Sequence, residues 1–414
     1  MAVHRRLLST FRQSDEVLQA LSSGRSSNNL KMGIVGMPNI GKSSLFNILT
    51  SSSVPAANYP FCTIDPSESR VAVPDERMDW LVNHVQPDNT VHAHLTVMDI
   101  AGLVRGAAKG EGLGNAFLAN IAAVDGIFHL VRAFKDTNIT HVENSVDPLR
   151  DAEIIDLELR LKDADQLAAL IAKSESKSTS RSLNGAAIDK DLLKHVHNLL
   201  TTSTNPLACE PWTLEEAKAL SQLRLLSLKP VVHLVNLSEE DYLSSLNGGG
   251  EPAVITALKS GAGANLSVDG NAQVVGYSGA IEGLLADMEN DEERLEVIED
   301  IKKSYGVANF KSAVPSIVWA GYHAVGLTHY FTYGKVEVRA WTLRKGSKAP
   351  QAAAVIHSDF EKNFIAAEVM RFEDLKELGS EEAVRAAGKY VTRGKDALIG
   401  DGDIVNFRIG KKKA

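Results

Sequence analysis

The chain has 414 residues, 44% hydrophobic and 23% charged, with a formal net charge of −8, which implies two or three domains at roughly 150 residues each. This balance excludes a wholly disordered polypeptide, a collagen-like rod and a disulfide-stapled miniprotein; its two cysteines, Cys62 and Cys209, fit a reducing compartment. The acidic balance argues against a global electrostatic grip on nucleic acid, and no apolar run reaches the ~18 residues of a membrane-spanning helix.

Residues 1–30 carry Arg5, Arg6, Arg12 and Arg25, many serines and only Asp15 and Glu16 as acids. They are expected to form a flexible N-terminal extension; a mitochondrial address is the alternative, against which the acid pair and the weak apolar face speak. Residues 31–35 form a short apolar run before Gly36 and read as a buried strand, and 42–49 read as a helix. Further apolar runs at 95–100, 126–134, 230–236 and 273–277, with helical stretches between several of them, predict an α/β domain with a parallel sheet over 31–146 and 227–325. Residues 147–177 and 189–200 have helical composition and period, separated by a serine-rich turn, and Thr213 with Glu216 offers a capping box for a third helix. The expectation is an antiparallel helical hairpin (coiled coil) inserted at 147–226, with unconnected surface helices as the alternative. Residues 247–263 read as a loop and 291–303 as a charged, solvated helix. Strands at 331–333, 336–342 and 404–408 with short helices at 358–363 and 380–387 predict a small α+β domain over 326–410, before a basic tail at 411–414.

Residues 36–43, GMPNIGKS, match the Walker A pattern between an apolar strand and a helix, the context that gives this motif its meaning. Successive backbone N–H groups curl around phosphates, glycine lets the chain come close, and the helix N-terminus adds unpaired donors. Lys42 bridges the outer phosphates and the Ser43 hydroxyl binds Mg²⁺. Asp99 and Gly102 follow the strand at 95–100, where the carboxylate can hold the metal through water and the Gly102 N–H can meet the terminal phosphate. Thr63, in a proline-bounded stretch, is placed to complete the metal shell when a γ-phosphate is present.

Guanine-specific relatives of this fold read the base with Asn-Lys-x-Asp. Here the strand at 231–235 leads into Asn236, Leu237, Ser238 and Glu239, so the lysine is replaced by leucine and the acid is one methylene longer. The paired acceptor for guanine is lost, which favours ATP and keeps GTP as the alternative. Ser278 follows the last strand and fits a loop at the base edge. Leu103 stands where hydrolytic switches often carry a glutamine that orients water, so slow hydrolysis is expected. Asn39 is a candidate for holding a monovalent cation such as K⁺. His141 is a candidate to approach the water, and an exposed loop histidine is the plain alternative.

Together these residues resemble the Obg-like ATPase (YchF) family of translation-factor-related P-loop proteins. The likeness is carried by residues 36–43, NYPFCTIDP at 58–66, DIAGLV at 99–104, GEGLGNAFL at 110–118, ITHVE at 139–143, DPLR at 147–150 and NLSE at 236–239. AWTLRKG at 340–346, APQAA at 349–353, IHSDFEKNF at 356–364 and DGD at 401–403 look like the family's C-terminal TGS domain. The resemblance implies a P-loop G domain, a helical-hairpin insertion and a β-grasp-like TGS domain. It implies ATP with Mg²⁺ held by Asn39, Ile40, Gly41, Lys42, Ser43 and Ser44, metal ligation by Ser43 and Thr63, a base contact at Leu237, and a proposed catalytic role for the histidine matching His141. It also implies ribosome association and a cytoplasmic location. Lys345, Lys348, Lys362 and the tail lysines are candidates for contacts with rRNA phosphates, with an ordinary soluble surface as the alternative, and no membrane contact and a monomer are expected. The Arg-rich N-terminus and residues 247–270 diverge from the family pattern. A regulatory binding module with incidental hydrolysis is the reading from another class, permitted by Leu103.

Overall fold

The computed structural model describes residues 15–22, 27–51, 67–100, 102, 114–176, 189–203, 207–260 and 273–410. Its first seven strands are β1 (Lys31–Val35), β2 (Glu68–Ala72), β3 (Asn89–Val91), β4 (His94–Asp99), β5 (Gly126–Arg132), β6 (Val231–Asn236) and β7 (Gln273–Tyr277). Six of them form a sheet in the order β2-β4-β1-β5-β6-β7. β1 runs parallel to β4 and β5, β5 to β6, and β6 to β7. Parallel strands covered on both faces require near-continuous apolar sequence, and every residue of β5 and β6 is buried. His129 and His233 lie side by side in that interior with ring centroids 5.2 Å apart. Burial, with the His233 neighbour adding to it, holds His129 well below its ordinary pKa.

The first helices are α1 (Asp15–Ser22), α2 (Lys42–Ser51), α3 (Glu76–Val85), α4 (Gly114–Ala123), α5 (Pro148–Ser176), α6 (Lys190–Thr202) and α7 (Leu214–Leu223). α5 and α6 run antiparallel: Arg160, midway along α5, donates to the Leu199 and Leu200 carbonyls at 3.1 Å and to the Ser203 carbonyl, all at the far end of α6. Leu167, Val196, Leu200, Trp212 and Leu220 form the apolar core of this helical region. The Thr213–Glu216 capping box forms at the start of α7. Asp163, fully buried, accepts from Leu226 N, Ser227 N and Ser227 Oγ, yet burial still pushes its carboxyl up to about 6.

Two expectations need correction here. Residues 1–30 are not a uniformly flexible extension, because Asp15–Ser22 forms α1 and buries Val17 and Leu21 in the helical core. The driving force is apolar side chains four apart, the spacing of one helix face. The stretch 247–263 is not all loop: Ala253–Lys259 is a helix, held because Ile255 and Leu258 bury their side chains.

The remaining strands are β8 (Leu327–Thr332), β9 (Glu337–Arg344), β10 (Phe364–Met370), β11 (Val391–Arg393) and β12 (Ile404–Ile409), in a mixed sheet of order β11-β10-β12-β8-β9-β3. β8 and β9 are an antiparallel pair, β12 runs parallel to β8, and β10 is antiparallel to β11 and β12. Tyr330, Leu343, Ala352, Phe364, Val369 and Val405 fill its core.

The chain divides into two compact units, Met1–Ser26 with Lys31–Ser69 and Thr96–Val325, and Ser27–Leu30 with Arg70–Leu95 and Gly326–Ala414. The expected boundary, which left 31–146 in the first domain, is therefore corrected: Arg70–Leu95 folds with the C-terminal strands. β3 pairs with β9, and Asn89 Nδ2 donates to Glu337 Oε2 at 2.8 Å. Asp75 caps α3 by accepting the Arg77 N–H at 2.8 Å, and its carboxylate also holds the Arg77 guanidinium and the buried His329 Nε2, 2.7 Å away. Arg77 in turn meets Asp401 at 2.8 Å.

Candidate nucleotide-binding site

The phosphate loop follows from where β1 ends. A Cβ on Gly36 would lie 2.5 Å from the Leu130 carbonyl oxygen of β5, so only glycine passes there. Asn39 adopts φ +60° and Gly41 φ +102°, the left-handed turns that curl the loop before α2 begins at Lys42. The unpaired N–H groups of that first turn, with exposed Ser43 and Ser44 beside them, make an anion-binding terminus. Ile40 is buried beneath the loop as a packing residue.

Lys42 is only 8% exposed and donates to the Met37 carbonyl at 2.8 Å, which folds its ammonium back over the loop. Burial lowers its pKa to about 8, opposed by the charge of Asp99. A Cβ on Gly102 would come within 2.8 Å of Lys42 Nζ and 3.2 Å of Pro38 N, so β4 delivers Gly102 against the loop as the sequence implied. Ser43 Oγ donates to Asp99 Oδ2 at 3.0 Å. Two hard oxygen donors thus converge beside the lysine, the donor set that suits Mg²⁺. Thr63, the second expected metal ligand, and Leu103 lie outside the described residues.

Asn236, one of the residues expected on the base side, is brought to the same loop. Asn236 Nδ2 donates to the Ile40 carbonyl at 3.2 Å, and Asn236 Oδ1 accepts the Gly279 N–H at 2.9 Å. One buried amide therefore ties the phosphate loop to the loop after β7. Leu237 N donates to the Tyr277 carbonyl at 2.8 Å, and the Leu237 side chain is buried close to Gly276. Ser278 is fully buried at the start of the next helix, and its hydroxyl has no hydrogen-bond partner among the described residues.

His141 is buried, at 6% exposure, rather than a solvent-exposed loop residue. Its Nε2 lies 2.8 Å from Asp151 Oδ2, and its Nδ1 accepts the Glu143 N–H at 3.2 Å. Both ring nitrogens are engaged, so the structure does not aim this imidazole at the phosphate loop. The preceding residue does reach it: Asn39 Nδ2 donates to the Thr140 carbonyl at 3.2 Å. The Asn39 amide oxygen remains the acceptor available to a cation.

Comparisons with known proteins agree with this geometry. A family model described as "50S ribosome-binding GTPase" matches residues 31–173, and the YchF-GTPase_C model, described as "Protein of unknown function (DUF933)", matches residues 327–410. Obg-like ATPase 1 from Homo sapiens is 47% identical over 387 residues, covering 93% of each chain. The corresponding protein of Oryza sativa subsp. japonica is 46% identical over 388 residues, again covering 93% of each. The solved Schizosaccharomyces pombe YchF GTPase is 43% identical, covers 93% of this chain and 99% of that chain, and superposes with a TM-score of 0.77.

The chain belongs to the Obg-like ATPase (YchF) family. As a member it is a nucleotide-binding P-loop hydrolase, with a G domain on a parallel sheet and a second domain on a mixed sheet. Two buried charged groups beside the segment that reaches the phosphate loop were not legible in the sequence. Asp151, in the first turn of α5, was not linked to His141. Arg132 closes a wholly buried strand and is itself 1% exposed; a single cation ending the apolar run from Gly126 was its available signal.

Proposed function

We propose that this protein is a Mg²⁺-dependent hydrolase that takes ATP in preference to GTP and cycles slowly as a nucleotide switch. The observation that carries the reading is the cradle: Lys42, Gly102, Ser43 and Asp99 converge on one loop. Asn236 joins that loop to a base side where Leu237 stands in place of lysine. Ser43, Asp99 and Thr63 would hold Mg²⁺, which when bound would supply charge neutralisation for the transferring phosphoryl group. Backbone amides and Lys42 bind the triphosphate, and Asn39 offers an oxygen to K⁺. The name "Obg-like ATPase 1" carried by the curated relatives supports ATP, whereas the solved relative is titled a GTPase.

Slow turnover follows from two features. Leu103 cannot orient water, and His141 holds both nitrogens in other hydrogen bonds, so a catalytic role for it requires that the pair with Asp151 open. These same features support the second reading, a nucleotide-tuned binding module with incidental hydrolysis. The ribosome is the proposed partner, supported by the description of the matching G-domain family, with residues 326–410 read as the TGS domain and a cytoplasmic, monomeric protein expected. Steady-state turnover of ATP and GTP, with and without ribosomes and K⁺, tests the reading. Stimulation of ATP turnover by either supports the switch, and a rate unresponsive to both supports the binder.

A further inference from the structure

We infer that Arg132 is a positioning residue for hydrolysis, acting through the loop that follows β5. This rests on the reading of the Lys42 cradle as the hydrolytic site. Arg132 is almost wholly buried, and its guanidinium donates to three carbonyls of its own loop: Phe134 at 3.0 Å, Ile139 at 3.2 Å and Asp136 at 3.3 Å. The cation also lies 4.5 Å from the centroid of the Phe134 ring. No carboxylate pairs with it among the described residues, so carbonyl dipoles and one aromatic face meet its charge.

Such an arrangement spends a rigid, planar fork of donors on the shape of one short loop. That loop ends at Thr140, which touches the phosphate loop, and at His141, the candidate for approaching the water. The Thr140 carbonyl accepts the Asn39 amide of the phosphate loop, at a position held in the left-handed region, and His141 follows it in its pair with Asp151. At the strand's other flank, Ala133 N donates to the Asn236 carbonyl at 2.9 Å, so the same turn is fixed to the residue that bridges the phosphate loop and the loop after β7. Arg132 touches neither the phosphate loop nor His141 directly. Its effect is on where Thr140 and His141 stand when nucleotide is bound.

The chemistry needs reacting groups held within a fraction of an ångström, and a misplacement of about 1 Å costs about 100-fold in rate. Ground-state affinity comes mainly from backbone amides and Lys42, which Arg132 does not contact. Removing the fork should therefore lower kcat and spare binding.

The test compares the full-length parent with Arg132→Met, Arg132→Lys and Phe134→Leu. ATP turnover, affinity for a fluorescent ATP analogue and thermal midpoint are measured for each, with Lys42→Ala as the control on the site. Arg132→Met is expected to lose about 10- to 100-fold in kcat with affinity within about threefold. Arg132→Lys, which keeps the charge but not the fork, should fall between it and the parent, and Phe134→Leu should lose less than Arg132→Met. Turnover of Arg132→Met within twofold of the parent overturns the inference. So does a kcat loss matched by an equal loss of affinity, which would mark a merely structural arginine. If Arg132→Met does not fold, the Lys and Leu variants decide by the same kcat-against-affinity split. Full turnover in Lys42→Ala would instead defeat the underlying reading of the site.

Discussion

At the scale of single residues, the site is governed by what burial does to one lysine. Lys42 is enclosed by its own loop, and its pKa falls to about 8 because desolvation outweighs the attraction of Asp99. A lysine lowered in this way is charged below that value and neutral above it. Its attraction for the outer phosphates is therefore full at pH 7 and declines as pH rises through about 8, by at most about tenfold per pH unit. Calorimetric titration with MgATP between pH 6.5 and 9.5 should show this decline in the parent. The Lys42→Ala protein should bind at least about tenfold more weakly at pH 7, without the decline and with an unchanged thermal midpoint. Equal affinity across the range in the parent contradicts the account. The cradle residues were legible in the sequence because backbone chemistry demands glycine, lysine and a hydroxyl at fixed offsets. Asp151 and Arg132 were not, because their partners are carbonyls and rings that only the folded loop presents. The burial of His141 was not legible for the same reason: nothing in its neighbours' identities tells whether the ring turns outward or inward.

At the scale of elements, the strands of the first sheet announced themselves as apolar runs: all five such runs are strands, four of them largely buried and β7 half-buried. Short amphipathic elements did not. Among the described side chains of α1, Val17 and Leu21 are buried in a segment flanked by serines and arginines, and its helix exists because the core around Val196, Trp212 and Leu220 receives them. Leu21→Ala is expected to cost about 2 kcal/mol, the lower end for a buried leucine because the helix is short and terminal. Denaturant unfolding followed by far-ultraviolet dichroism measures this. An unchanged midpoint would return residues 15–22 to the status of a free extension. Strand β10, likewise unforeseen, begins directly after a short helix, so its two periodicities merge in the sequence around Phe364.

At the scale of the whole molecule, the division of the chain was read as two consecutive folding regions plus an insertion, and the structure shows a second exchange. Arg70–Leu95 leaves the first unit and is built into the C-terminal one. Sequence order could not reveal this, since the decisive bonds join Asp75 and Arg77 to His329 and Asp401, more than two hundred residues away. Removing one partner of a buried ionic network costs about 3–5 kcal/mol, and the 21% exposure of the Arg77 side chain reduces that to about 2 kcal/mol. Arg77→Met should accordingly speed amide hydrogen exchange in α3 by about 30-fold, measured by mass spectrometry of peptides spanning 76–85. Unaltered protection there would mean that this cluster does not hold α3 in place.

The loop at Gly36–Ser44 and the Asn236–Leu237 turn are together proposed to form a site for an adenine nucleotide. The most direct test of this proposal is displacement of a fluorescent nucleotide from the full-length protein by ATP and by GTP, each with Mg²⁺. Displacement by ATP at the lower concentration is expected, together with probe binding by the Lys42→Ala protein that is at least about tenfold weaker. A tenfold or greater preference for GTP, or a parent that binds neither, would contradict it.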